Sequence, residues 1–193
     1  MTQFDRVLQE VDSQCRERHI PMLGREKAEF LTDLIEQVKP SLIVECGTAI
    51  GYSGLWIASR LQAMGKGRLI TVEIDADRAH EAQENFARAG LSEQVDSRIG
   101  DAAEVLKVVN DGIDFLLLDN SFGAYYSSFR AIESRLLDGA TVVADNVGIG
   151  ASEMADYLNL VRSRYESQTH WFEVDLPWVN RDAMEVTIYR KQR

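Results

Sequence analysis

After Pro40 the chain changes rhythm, and that change constrains the fold more than any other feature. Short apolar runs alternate with helical stretches from there on. The runs are Leu42-Ile43-Val44, Leu69 to Val72, Val95 to Ile99, Ile113 to Leu118 and Ala140 to Ala144. Helical spacing fills the intervals, over Tyr52–Met64, Ala76–Ala89, Ala102–Val109 and Ala124–Leu137. Mostly apolar strands that are each followed by a helix predict a parallel sheet covered on both faces, with right-handed crossovers. A helix over Glu153–Arg164 follows, then two extended segments, Trp171–Asp175 and Ala183–Tyr189, with no helix between them. Those two predict an antiparallel pair at one edge. The expected fold is a doubly wound α/β sheet of about seven strands, mostly parallel.

Ahead of Pro40 lie two predicted helices. Phe4, Val7, Leu8 and Val11 give the first twenty residues an amphipathic pattern, and a second helix is expected over Arg25–Val38, closed by Pro40. At 193 residues a single domain, 1–193, is expected, with residues 1–40 contributing to a substrate pocket or to dimer contacts. The formal net charge of -10 counts against a nucleic-acid partner, because an acidic surface repels phosphate backbones. Two cysteines, Cys15 and Cys46, make no disulfide framework, and Cys46 in an apolar strand reads as a buried thiol. No stretch approaches the roughly 20 apolar residues of a membrane span, and none resembles a signal peptide, so a cytoplasmic location is expected.

Three loci carry the chemistry. The first strand runs into Glu45-Cys46-Gly47-Thr48-Ala49-Ile50-Gly51-Tyr52-Ser53-Gly54, a glycine loop opening a helix. Its G-x-x-x-G-x-x-G spacing is not the dinucleotide fingerprint G-x-G-x-x-G, and the acid at its start suits a cationic ligand better than a pyrophosphate. A strand-to-helix turn that simply needs glycine is the plainer reading. The second strand ends in Thr71-Val72-Glu73-Ile74-Asp75, placing an acid where nucleotide-binding sheets hold ribose hydroxyls; a solvated strand-end charge is the alternative. Gly100-Asp101-Ala102 opens the helix after the third strand, where Asp101 caps that helix, reaches an adenine amino group, or does both.

Together, E-x-G-x-x-x-G-Y-S, V-E-I-D and G-D-A resemble the motifs of class I S-adenosylmethionine-dependent methyltransferases, which are Rossmann-like. The resemblance implies that Glu45, Gly47, Gly51, Tyr52 and Ser53 surround the methionine moiety. Glu73 and Ile74 would hold the ribose, and Asp101 and Ala102 would border the adenine. It extends to the catechol O-methyltransferase-like family from about Met22 onward, through Gly24-Arg25-Glu26-Lys27, Leu116-Leu117-Leu118-Asp119 and Val142-Val143-Ala144-Asp145-Asn146-Val147. In that family the Asp and the Asp-Asn pair bind a divalent cation, so Asp119, Asp145 and Asn146 are the expected ligands of Mg²⁺ or another divalent ion, Asp119 also bordering the cofactor. Two carboxylates and an amide oxygen are hard ligands of the kind Mg²⁺ prefers.

One position departs from the family. Its lysine general base falls three residues after the first metal Asp, where this chain has Phe122. Tyr125, Tyr126 and His19 are candidate substitutes, and Met22, Trp178 and Arg181 are candidate pocket residues. The expected activity is methyl transfer to a hydroxyl of a small catechol-like or vicinal-diol acceptor, in a homodimer. The alternatives are a tRNA modified uridine as acceptor, which needs Arg60, Lys66, Arg68 and Arg98 to form one basic face near the pocket, and a metal-independent or non-catalytic S-adenosylmethionine-binding protein.

Overall fold

Strands β1 (Leu42–Cys46), β2 (Arg68–Glu73) and β4 (Ile113–Leu118) are buried at nearly every position, so they are covered on both faces, and the computed structural model shows how. It describes residues 1–109 and 112–191. A seven-stranded sheet has the order β3-β2-β1-β4-β5-β7-β6. Strands β1 to β5 are parallel, with β3 at Val95–Ile99 and β5 at Leu136–Ala144. Strand β7 (Val179–Ile188) lies antiparallel between β5 and β6 (Glu166–Leu176). The predicted antiparallel pair is therefore present and longer than the sequence suggested, but its second strand is the inner one. Pro177, which cannot donate to a ladder, falls in the turn between them.

Alternate side chains of each strand enter different cores. Ile43, Phe115, Leu117 and Val143 pack with α1 (Gln3–Arg18), α2 (Arg25–Val38), α3 (Tyr52–Met64) and α4 (Ala76–Arg88). Leu42, Val44, Leu116, Leu118 and Val142 pack with α5 (Ala102–Val105), α6 (Tyr125–Ile132) and α7 (Ala155–Arg164) on the other face. Each large apolar side chain so enclosed contributes about 1.5–3 kcal/mol relative to exposure. The α2 boundaries match the sequence reading. The helices expected after β3 and β4 are shorter, because their outer turns tighten into 3₁₀ segments at Leu106–Val108, Phe122–Ala124 and Glu133–Arg135.

Helix α1 buries Val7, Leu8, Val11 and Cys15 in the chain's own core, so the apolar face that motivated dimer contacts is used within the protomer. Both cysteines are buried free thiols. No helix among the described residues is long and apolar enough to cross a membrane.

Candidate active site at the carboxyl ends of the strands

Strand order reverses between β1 and β4, and the crevice beyond the carboxyl ends there is the general ligand position of open α/β sheets. A cavity of about 740 Å³ lies at that point. Its wall brings together Gly47, Tyr52, Ser53, Glu73, Ile74, Asp101, Ala102, Asp119 and Asn146, nine of the twelve positions expected from sequence to bind cofactor or metal. Glu45, Gly51 and Asp145 stand immediately behind it.

The glycine loop is shaped by its neighbours. Gly47 has φ +96°, its N–H donates to Val72 O at 2.9 Å, and a Cβ there would fall 2.2 Å from the backbone oxygen of Asp119. Only a residue without a side chain lets β1 and β4 end so close together. Glu73 organises the same loop from the tip of β2. Its Oε2 accepts the N–H of Thr48 at 3.2 Å and of Ala49 at 2.7 Å, and its Oε1 accepts that of Asp75 at 3.0 Å. The carboxylate is thus more than a strand-end charge. It pins the loop and still borders the cavity, with about one acceptor site left on Oε1.

Glu45 is fully buried, and burial pushes its carboxyl up to about 7 against the opposing hydrogen bonds of Ser53 and Thr71. Its Oε1 meets no donor among the described residues. Asp101 caps α5 by accepting the N–H of Glu104 at 3.1 Å while also lining the cavity, so the two sequence readings of it are compatible.

Parallel pairing sets Asp119 beside Asp145. Leu118 is in register with Ala144, Asp119 N–H donates to Cys46 O at 2.8 Å, and Asp145 N–H donates to Leu118 O at 2.9 Å. Burial, then the charge of Asp145, raises the Asp119 carboxyl well above the usual range, with Lys27 opposing. Asn146 turns the chain with φ +58°, a left-handed conformation that Asn tolerates better than most residues.

Two side chains assigned no role from the sequence complete the cluster, Lys27 at the end of the Gly24–Lys27 segment and Asp182 outside every motif. Lys27 Nζ, on the first turn of α2, donates to both carboxylate oxygens of Asp145 at 2.7 and 2.8 Å and to Asp182 Oδ2 at 2.9 Å. Lys27 and Asp182 are 0% exposed and Asp145 1%. Burial alone would lower the Lys27 ammonium, but its two carboxylate partners outweigh it and the net direction is up. The available signal was charge inside an apolar pattern, at Asp182-Ala183-Met184 and at Lys27-Ala28. Among the described residues no three His, Cys, Asp or Glu side chains are grouped to hold a metal ion. The expected site consists of two carboxylates and one amide.

Several candidates lie elsewhere. Tyr125 is fully buried, its hydroxyl donates to Asp145 O at 3.2 Å, and burial raises it well above the ordinary range, so this hydroxyl is poorly suited to the base role expected of it. Exposed His19 and Tyr126 are outside the cavity wall. Arg181 also points elsewhere, stacking over Trp171 at 4.8 Å, whereas Met22, Phe122 and Trp178 do line the cavity. None of Arg60, Lys66, Arg68 and Arg98 lines it, and Arg60 and Arg98 pair with Glu36 and Asp96.

A parallel sheet with one antiparallel strand inserted before its edge, and a ligand crevice at β1 and β4, is the architecture of class I S-adenosylmethionine-dependent methyltransferases. A family model described as a methyltransferase domain matches residues 44–147. Catechol O-methyltransferase of Niastella koreensis is 37% identical over 125 residues, covering 63% of this chain and 56% of that protein. Catechol O-methyltransferase B of Danio rerio is 30% identical over 192 residues, covering 95% and 71%. The chain thus spans little more than half of the first relative and about seven-tenths of the second. O-methyltransferase TomG of Streptomyces achromogenes, solved in complex with SAM, superposes with a TM-score of 0.82 at 22% identity, covering 96% of this chain and 90% of that one. The chain belongs to the catechol O-methyltransferase-like family of S-adenosylmethionine-dependent O-methyltransferases.

Proposed function

We propose that the protein methylates one hydroxyl of a small acceptor with two adjacent oxygens, a catechol or another vicinal diol or enol, at a site where Asp119, Asp145 and Asn146 hold a divalent cation such as Mg²⁺. The observation that carries this reading is the convergence of those residues beside the glycine loop. Asp145 lies close enough to raise the Asp119 carboxyl, and a cation between them would relieve that repulsion, while Lys27 pairs with Asp145 and Asp182. Oxygen donors of that kind fit a hard divalent ion. The names of the two catechol O-methyltransferase relatives support the acceptor class.

S-adenosylmethionine supplies a methyl sulfonium, so that the acceptor O–H becomes O–CH₃, a thioether is left and a proton is released. The cation, when bound, would acidify the acceptor hydroxyls and hold both oxygens. The rest falls to the chain. Glu73 keeps the loop closed on the cofactor side, and the bare backbone at Gly47 permits close approach. Met22, Phe122 and Trp178 form an apolar wall that orients a flat acceptor and excludes water. Positioning of this kind supplies much of the rate of a bimolecular transfer. Phe122 cannot accept a proton, so the acidity that the cation would lend the acceptor hydroxyl stands in for the missing lysine.

The test is calorimetric titration with S-adenosylmethionine, then Mg²⁺, then a catechol, alongside a methyl-transfer assay with and without chelator. Metal-dependent diol binding and chelator-sensitive transfer are expected. Transfer unchanged by chelation, or full activity in Asp145→Ala, would overturn the reading.

A further inference from the structure

Asp145, one of the proposed cation ligands, does not border the cavity as Asp119 and Asn146 do. It is held from behind. Lys27 reaches from α2 across 118 residues of sequence to both oxygens of Asp145, and across 155 to Asp182 on β7. Asp182 accepts at both of its oxygens. Its Oδ2 accepts Lys27 Nζ and Asn146 Nδ2, each at 2.9 Å, and its Oδ1 accepts the N–H groups of Gly148 at 3.2 Å and Ile149 at 3.1 Å.

This arrangement decides which way the Asn146 amide faces. A carboxylate only accepts, so Asp182 takes the NH₂ end, and the carbonyl oxygen is the end left over. The turn that begins at the left-handed Asn146 is held by the same carboxylate through the N–H groups of Gly148 and Ile149, two and three residues on. Resting on the cation site of the proposed function, we propose that Lys27 and Asp182 are positioning residues for it: Lys27 fixes the Asp145 carboxylate, and Asp182 fixes the Asn146 amide with its oxygen toward the cavity. Each oxygen of Asp145 has more than one lone pair, so accepting from Lys27 leaves capacity for a cation. Partners of this kind behind metal ligands typically change metal affinity by roughly 10- to 100-fold when altered.

The experiment measures Mn²⁺ affinity by electron paramagnetic resonance and S-adenosylmethionine affinity by calorimetry, both without acceptor. It compares the parent protein, Asp145→Asn, Asp182→Asn, Lys27→Met, and the double variant Lys27→Met/Asp182→Asn. The double variant removes one positive and one negative buried charge together, so it keeps the charge balance where Lys27→Met alone fails to fold. Asp182→Asn and the double variant are expected to bind Mn²⁺ at least tenfold more weakly, with S-adenosylmethionine affinity within about twofold of the parent. A uniform loss of both affinities would mean a merely structural role and would overturn the inference. So would Mn²⁺ affinity within twofold of the parent, while loss of Mn²⁺ binding in Asp145→Asn left the cation site itself standing. A parent protein that binds no Mn²⁺ would remove the cation site and this inference with it.

Discussion

Replacing Gly47 by alanine tests the geometry that brings the ends of β1 and β4 together. Two separable costs follow from the structure. At φ +96° an L-residue pays roughly 1–2 kcal/mol for the left-handed backbone. The new Cβ would also lie 2.2 Å from Asp119 O, 2.6 Å from Asp119 C and 3.0 Å from Asn120 Cα, all backbone atoms without a rotamer to yield. The end of β4 must therefore retreat by about 1 Å, an overpacking cost of roughly 1–3 kcal/mol. Together these give a destabilisation of about 2–5 kcal/mol, or roughly 4–20 °C in Tm for a chain of this size. Gly65 is the internal control. It has φ +64° with no atom within 4 Å of a built Cβ, so Gly65→Ala should show the backbone cost alone. Guanidinium denaturation of both variants isolates the steric part by difference. Because the retreat moves Asp119, S-adenosylmethionine affinity or turnover should also fall, by up to about 100-fold for a displacement near 1 Å. Equal stability of the two variants, together with unchanged cofactor affinity in Gly47→Ala, would refute the reasoning.

Three further outcomes are expected. Glu73→Gln puts an NH₂ group where one carboxylate oxygen accepts an N–H of the loop or beside the cavity, so S-adenosylmethionine affinity measured by calorimetry should fall tenfold or more; an unchanged affinity would leave Glu73 as loop structure only. Glu45 is held near 7 in the folded chain against 4.5 in the unfolded one, so the native state binds more protons between those values. Its contribution, about 3 kcal/mol, is present below pH 4.5 and lost as pH rises to about 7, and a Glu45→Gln variant should show a flatter stability profile across that window. Phe122→Lys should raise methyl transfer at neutral pH more than at high pH, where the acceptor hydroxyl is already ionised; a uniform change across the pH profile would show that the added amine takes no proton.

The parallel core and its two covering layers were legible because they follow from one-dimensional pattern. Runs that are apolar at every position need cover on both faces, and the helical stretches between them supply it. The glycine loop, Glu73 and Asp101 were legible for a related reason: short contiguous segments at strand ends carry local backbone requirements in their own residues. The carboxylate pair was also within reach, since Asp119 and Asp145 end neighbouring runs and parallel register aligns them.

Contacts between distant segments lay beyond the sequence. The entry of β7 between β5 and β6 was not read from the sequence; residues 182–185 are buried there, while most of the more polar β6 stays exposed or half-exposed at the edge. That insertion carries Asp182 to Asn146, and the docking of α2 carries Lys27 to Asp145, from 36 and 118 residues away from their partners. Tyr125 shows the converse, a polar residue whose helical phase was visible but whose burial against β5 was not. Local chain geometry is written in adjacent residues, so the sequence by itself determined the sheet class and the loops that can meet a nucleotide. The charges behind the carboxylates depend on which elements pack together, and only the tertiary structure decided that.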